Sequence, residues 1–162
     1  SLMTACGSGG NNAQGGQGGN SGGGSSDPSQ LIIATGGTGG TYYPLGGGMA
    51  DLIGKNAGVT ATAQATGASA ENIRLIRDKK ADIAFVQNDI AEYASKGTNM
   101  FAQDGKIDSF QAMGALYNET IQIVVSKDSN INSVADLKGK RVSVGSPGSG
   151  TEMNAQQILE AY

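Results

Sequence analysis

The stretch Gly36-Gly37-Thr38-Gly39-Gly40-Thr41-Tyr42-Tyr43-Pro44-Leu45-Gly46-Gly47-Gly48 sets Thr38, Thr41 and Tyr42 among seven glycines, directly after the apolar run Leu31-Ile32-Ile33-Ala34. Glycine lets backbone N–H groups approach a ligand closely, and hydroxyls can donate and accept hydrogen bonds. At the start of a helix such a loop favours an anion. The stretch matches no nucleotide template. A dinucleotide fingerprint begun at Gly37 meets Gly39 but then Tyr42 in place of its third glycine, and Lys55 stands in no phosphate-loop spacing. A tight turn alone would account for the glycines; the adjacent tyrosines favour a binding loop.

Three other segments carry polar groups at the ends of apolar runs. Ala65-Thr66-Gly67-Ala68-Ser69 follows one, Val86-Gln87-Asn88-Asp89 another, and Pro147-Gly148-Ser149-Gly150-Thr151 is a second Gly/Ser/Thr turn opening a helical pattern. Helix capping competes with ligand binding as the role of Ser69, Asn88 and Thr151. Gln87 resists that explanation, because an amide beside a buried strand needs partners. Tyr117-Asn118-Glu119 joins two apolar runs, and a surface turn is the alternative there.

Composition limits the chemistry. With no His, the usual general base and the Ser–His nucleophile pair are missing. A single Cys excludes an internal disulfide and a Cys-rich zinc site. Ser149 is the residue an acyl- or group-transfer enzyme would use, assisted by Lys140 or Arg141, but no base stands at a recognisable spacing. No catalytic set, metal site or cofactor is therefore expected. Lys plus Arg is 11 against 14 for Asp plus Glu, without a basic stripe, so nucleic acid is a poor partner.

The elements that must carry these residues alternate. Leu31–Ala34 is a short buried strand. Leu45, Met49, Leu52 and Ile53 fall on one face of a helix ending near Asn56-Ala57-Gly58. Val59–Thr66 alternates as a strand, and Ser69 is placed to cap the helix that follows. Asp82–Val86 is an almost continuous apolar run, as in a strand covered on both faces. Asn88 or Asp89 would cap the next helix, stopped by Gly97. This β-α-β-α-β-α order predicts an α/β fold with a parallel sheet. Residues 98–110 suggest a loop with a short helix. Ala112–Tyr117, Ile121–Val125 and Arg141–Val144 are predicted as further strands, and Met113 and Phe85 as core. Ser133–Gly139 has a capping-box spacing and a glycine stop. A last helix carries Met153, Gln157, Ile158 and Leu159. This last unit has no sheet partner of its own, so the chain is expected to stop partway into a second domain at Tyr162.

Residues 7–30 hold ten of the 27 glycines and no aliphatic side chain larger than alanine, a composition expected to stay disordered. Before them, Leu2-Met3-Thr4-Ala5-Cys6 resembles the end of a bacterial lipoprotein signal peptide, with Met3 where Leu is commoner. Cleavage after Ala5 would leave Cys6 as a lipid-modified N-terminus on a polar leash. A stray cysteine in a linker tail is the alternative.

Taken in order, ATGGTGGTYYPLGGGMA (34–50), GASAENIRLI (67–76), ADIAFVQND (81–89), ALYNETIQIVV (115–125) and LKGKRVSVGSPGSGTEMNAQQIL (137–159) resemble the TAXI family. These are solute receptors of TRAP transporters, within the type II periplasmic-binding-protein superfamily. The resemblance implies an α/β protein of two domains that close on a small organic anion, such as an amino acid or dicarboxylate. The receptor then delivers it to a membrane permease, so it would be extracytoplasmic and held to the membrane through Cys6. The first domain would span 31–128, a crossover 129–139, and the incomplete second domain 140–162. Carried over, Thr38, Gly39, Gly40, Thr41 and Tyr42 would line the cleft with Ser69, Gln87 and Tyr117, and Asn72 would stand near them. Ser149, Gly150 and Thr151 would face them from the second domain. A surface immunogenic or adhesion lipoprotein without transport is the remaining alternative.

Overall fold

The computed structural model describes residues 30–162; Cys6 and most of the Gly/Asn/Ser tract lie outside the described residues. Its first strand, β1 (Gln30–Ala34), is built from β-branched and aliphatic residues, and Ile33 and Ala34 are fully buried. β2 (Thr60–Gln64) lies parallel to it in the register Gln30↔Thr60 through Ala34↔Gln64. β3 (Ile83–Ala84) lies parallel on the other side, pairing Ile33↔Ile83 and Ala34↔Ala84. The strand order is therefore β2-β1-β3. Winding moves from β1 out to β2 and then returns across to β3, so β1 and β3 flank a switch point.

Helix α1 (Tyr42–Ala57) covers β1 and β2 and stops at Gly58, whose φ of 65° is left-handed. The face it buries is only partly the one predicted. Gly46 is its one buried residue and Met49 and Ile53 are half-buried beside it, whereas Leu45 and Leu52 are exposed, Leu52 by 63%. Helices α2 (Ser69–Arg77) and α3 (Asn88–Lys96) pack on one another around Ala70, Ile73, Ile90 and Ala94, with Phe101 and Ile107 closing the cluster. Gly97 (φ 66°) ends α3, and its N–H donates to Ala94 O at 3.1 Å. A 3₁₀ turn, Asn99–Phe101, then leads to Asp104. Asp104 takes Arg74 at 2.7 Å and Arg77 at 2.8 Å, while the Arg74 guanidinium lies 5.1 Å over the Phe101 ring. The loop after α3 is thereby tied back to α2.

The β-α-β-α-β-α order and the parallel sheet agree with the sequence, and the α/β architecture is consistent with a periplasmic-binding-protein-like fold. The strands predicted at Ala112–Tyr117, Ile121–Val125 and Arg141–Val144 do not form. Among the described residues none of these runs enters a hydrogen-bonded ladder, and a run without a ladder partner is not a strand of a sheet. Met113, expected inside, is 86% exposed; Phe85 is buried as expected. The short helix at Ser133–Gly139 forms as a 3₁₀ turn, Val134–Leu137, with the Ser133 N–H donating to Asp136 Oδ2 at 2.9 Å. The last helix, α4 (Gly150–Ala161), sends Met153 onto the margin of the α2–α3 cluster.

Candidate functional site

Gly36 to Thr41 leaves the carboxyl end of β1 at the switch point, where open α/β sheets bind ligands. Gly40 N–H closes a turn on Gly37 O at 2.9 Å, and Thr38, Gly39, Gly40 and Thr41 are exposed. Tyr42 then begins α1. The helix is seated by Gly46: a β-carbon there would overlap Thr35 Cγ2 and lie 3.5 Å from Ala63 Cβ and 3.6 Å from Phe85 Cε2. This close seat brings the Tyr42 ring over Phe85, with centroids 5.3 Å apart and planes at 32°. Gly47 and Gly48 meet nothing, so only Gly46 of the three packs close to the sheet.

The Tyr42 hydroxyl donates to Glu119 Oε1. Burial pushes its phenol well above the ordinary tyrosine range, and the hydrogen bond and charge of Glu119 push further in the same direction, against an opposing effect of the Ser69 hydroxyl. Tyr117 is also raised, by burial first and then by Glu119. Both phenols thus stay protonated at neutral pH, and Tyr42 acts as a donor. Tyr42, Ser69, Tyr117 and Glu119 therefore converge. Glu119 was not among the predicted site residues. Its signal was a carboxylate set between two apolar runs, which also fits a solvated turn.

Ser69 is not an N-cap. It is the first residue of α2, fully buried, and its Oγ accepts the Gln87 N–H at 3.2 Å, joining α2 to the end of β3. The N-cap position belongs to Ala68, at φ 75° and ψ −144°, a region close to glycine-only. Thr66 holds this strained residue by accepting the Ala68 N–H at 3.0 Å on its hydroxyl. Neither Asn88 nor Asp89 caps α3; Gln87 occupies that position, without a side-chain cap. The Gln87 Nε2 donates to Asn154 Oδ1 at 2.9 Å, and Asn154 Nδ2 donates to Asp89 Oδ2 at 2.9 Å. The amide beside the strand finds its partner on α4.

The second Gly/Ser/Thr turn meets the first group from the other side. Ser149 caps α4, its Oγ accepting the Glu152 N–H at 3.1 Å, and Glu152 Oε2 accepts the Gly148 N–H at 2.7 Å. Gly148 O accepts the Ala70 N–H at 3.2 Å, which docks the turn on the start of α2. Gly150 lies so close to Gln87 that a β-carbon would overlap the carboxamide. Thr151 is exposed at the edge of a hollow of about 580 Å³, which Gln87, Glu119 and Asn154 also line. Most of that hollow is apolar, with Ile121, Ile123, Val142 and Ile158 in its walls.

Tyr42, Ser69, Gln87 and Tyr117 thus gather at one sheet edge, and Ser149 and Gly150 abut it through Gln87. Thr38, Gly39, Gly40 and Thr41 form an open lip beside them. Among the described residues no group of three or more His, Cys, Asp or Glu is placed to hold a metal, and no helix is long and apolar enough to cross a membrane. The model of the NMT1-like family matches residues 33–162 and so takes in each of these segments. The chain belongs to the NMT1-like family, a family of periplasmic solute-binding proteins.

Proposed function

We propose that the chain is the solute receptor of a TRAP-type transporter, capturing a small organic anion of amino-acid or dicarboxylate type and handing it to a membrane permease. It would be of the TAXI kind and anchored outside the cytoplasm through a lipid on Cys6. Residues 31–128 would form the first domain, 129–139 the crossover, and 140–162 would belong to the second. The observation that carries this reading is the gathering of polar groups at the switch point. Tyr42, Ser69 and Gln87 stand at the carboxyl edge, and the α4 N-terminus at Ser149-Gly150-Thr151 abuts Gln87 from the other side. Neutral phenols, hydroxyls and backbone N–H groups can hold an anion without chemistry on it, and NMT1-like proteins are generally non-enzymatic. The Ser149 hydroxyl, the one candidate nucleophile, accepts a helix N–H as a cap does.

Calorimetric titration of the purified protein with L-glutamate, L-glutamine, malate and succinate tests the proposal. Saturable heat with one of them is expected. Silence across these and a wider panel of amino and organic acids would overturn it.

A further inference from the structure

Asn72 was expected near the cleft as a ligand contact, yet it is fully buried in the first turns of α2. Its Nδ2 donates to Thr35 O at 2.6 Å and to Phe85 O at 2.8 Å, with Ala34 O farther off at 3.4 Å. Its Oδ1 accepts the Thr66 hydroxyl at 2.6 Å, and that hydroxyl lies 3.1 Å from Thr35 O. Thr35 and Phe85 are the residues directly after β1 and β3, and Thr66 follows β2 by two positions. All the acceptors and donors of this side chain thus lie where the sheet ladder gives out, and none lies in the middle of a strand.

The structure assigns Asn72 as a positioning residue: one buried carboxamide ties the carboxyl ends of all three strands to α2. It thereby fixes where Gly36–Thr41, Gly67–Ser69 and Gln87 leave the sheet. Only an amide meets these demands at once, with two hydrogens for two carbonyls and an oxygen for a hydroxyl. A carboxylate would face two carbonyl oxygens, and an aliphatic residue would leave both carbonyls buried without a partner. None of the wild-type partners titrates. The role in binding rests on the proposed solute reading; the role in placing the loops does not.

Asn72→Asp in the full chain tests both. Hydrogen exchange, corrected for the unstructured rate, is followed at the Thr66 amide, which bonds Gly36 O, and at the Gln87 amide, which bonds Ser69 Oγ. At neutral pH both should exchange at least about tenfold faster than in wild type, while Tyr93 and Ala94 in α3 stay unchanged. As pH falls, protonation of the introduced carboxyl restores one donor, and protection should partly return in the variant alone. Equal acceleration in α3, or no change at Thr66 and Gln87, would overturn the assignment. L-glutamate titration supplies the second arm: affinity should fall and recover in step with protection. A wild type that ignores L-glutamate counts against that solute alone, while the exchange pattern still decides the role of Asn72. If Asn72→Asp does not fold, Thr66→Val removes the hydroxyl tie at constant size. Faster exchange at Ala68 and Gln87 is then expected, and none would overturn the assignment.

Discussion

Gly46→Ala should destabilise the protein where Gly47→Ala and Gly48→Ala do the reverse. All three glycines are in α1, so each substitution gains about 0.8–1 kcal/mol of helix propensity. At Gly47 and Gly48 the new methyl meets nothing. At Gly46 it would overlap Thr35 Cγ2, with Ala63 and Phe85 close behind. Thr35 cannot turn aside freely, because its Oγ1 donates to Gln64 O at 2.6 Å. The helix must therefore lift, at a cost of about 1–3 kcal/mol for overpacking. Propensity cancels between the variants, so Gly46→Ala should lie about 1–3 kcal/mol below Gly47→Ala. Urea unfolding followed by circular dichroism would show this as a midpoint difference of roughly 1 M at unchanged slope. Thr35→Ser removes the obstructing methyl and keeps the hydroxyl, so it should rescue Gly46→Ala in a double-mutant cycle. Equal midpoints for the Gly46 and Gly47 variants, or strict additivity with Thr35→Ser, would refute the seat. Tyr42 sits one turn before Gly46, so a lifted helix also moves the phenol away from Phe85 and Glu119.

Tyr42→Phe should cost about 1 kcal/mol at neutral pH, below the usual range for a hydrogen bond to a charged group because Glu119 is exposed. Since burial and then Glu119 raise the folded-state pKa of Tyr42, its contribution is whole below about pH 10, where an unfolded tyrosine titrates, and is lost above it. The alkaline decline in stability above that pH should accordingly be shallower in the variant; an identical pH profile would contradict this. Ala68→Gly should stabilise the fold by about 1 kcal/mol, relieving a left-handed alanine at the cost of some chain entropy, and an unchanged or lower melting midpoint would count against strain at that position. Asp104 is held below the usual carboxylate range by Arg74 first and Arg77 second, so its contribution is present above about pH 4 and lost as pH falls below it. Asp104→Asn should lower stability at neutral pH and flatten the acid limb, and parallel acid limbs for variant and wild type would argue against the pairing.

The first six elements were legible because their signals are local. Aliphatic runs, apolar spacing and glycine stops at Gly58 and Gly97 are written within a few residues of the structure they produce. The inward face of α1 was only partly legible, with Met49 and Ile53 on it but Leu45 and Leu52 off it, because its closest contact with the sheet is made by Gly46, which has no side chain for a hydrophobic period to register. The runs at 112–125 and 141–144 alternate as strands do, but a strand also needs a neighbour, and local alternation does not supply one. Ser69 looks like a cap by type and position. The left-handed backbone of Ala68 moves the helix start by one residue and turns the hydroxyl toward β3 instead. Glu119 was missed because an exposed carboxylate in a turn is usually just solvated; its tie to Tyr42 spans 77 positions of sequence.

The polar groups of the candidate cleft are already in use. Tyr42 bonds Glu119, Gln87 bonds Asn154, and Ser149 bonds the Glu152 N–H. Among the described residues no buried side-chain polar atom lacks a partner. A solute entering between Gln87 and α4 must therefore exchange its own groups for these bonds, and only the surplus over what it displaces would appear as affinity. The lip at Thr38–Thr41 is open by comparison, as is Thr151. Selectivity would then come from Tyr42, Glu119 and Gln87, where a poorly matched solute leaves desolvated groups unpaired. The open threonines would add contacts that discriminate little. Asn72 would matter to this division because it ties down the ends of β1 and β3, beyond which Tyr42 and Gln87 follow, without itself touching the solute.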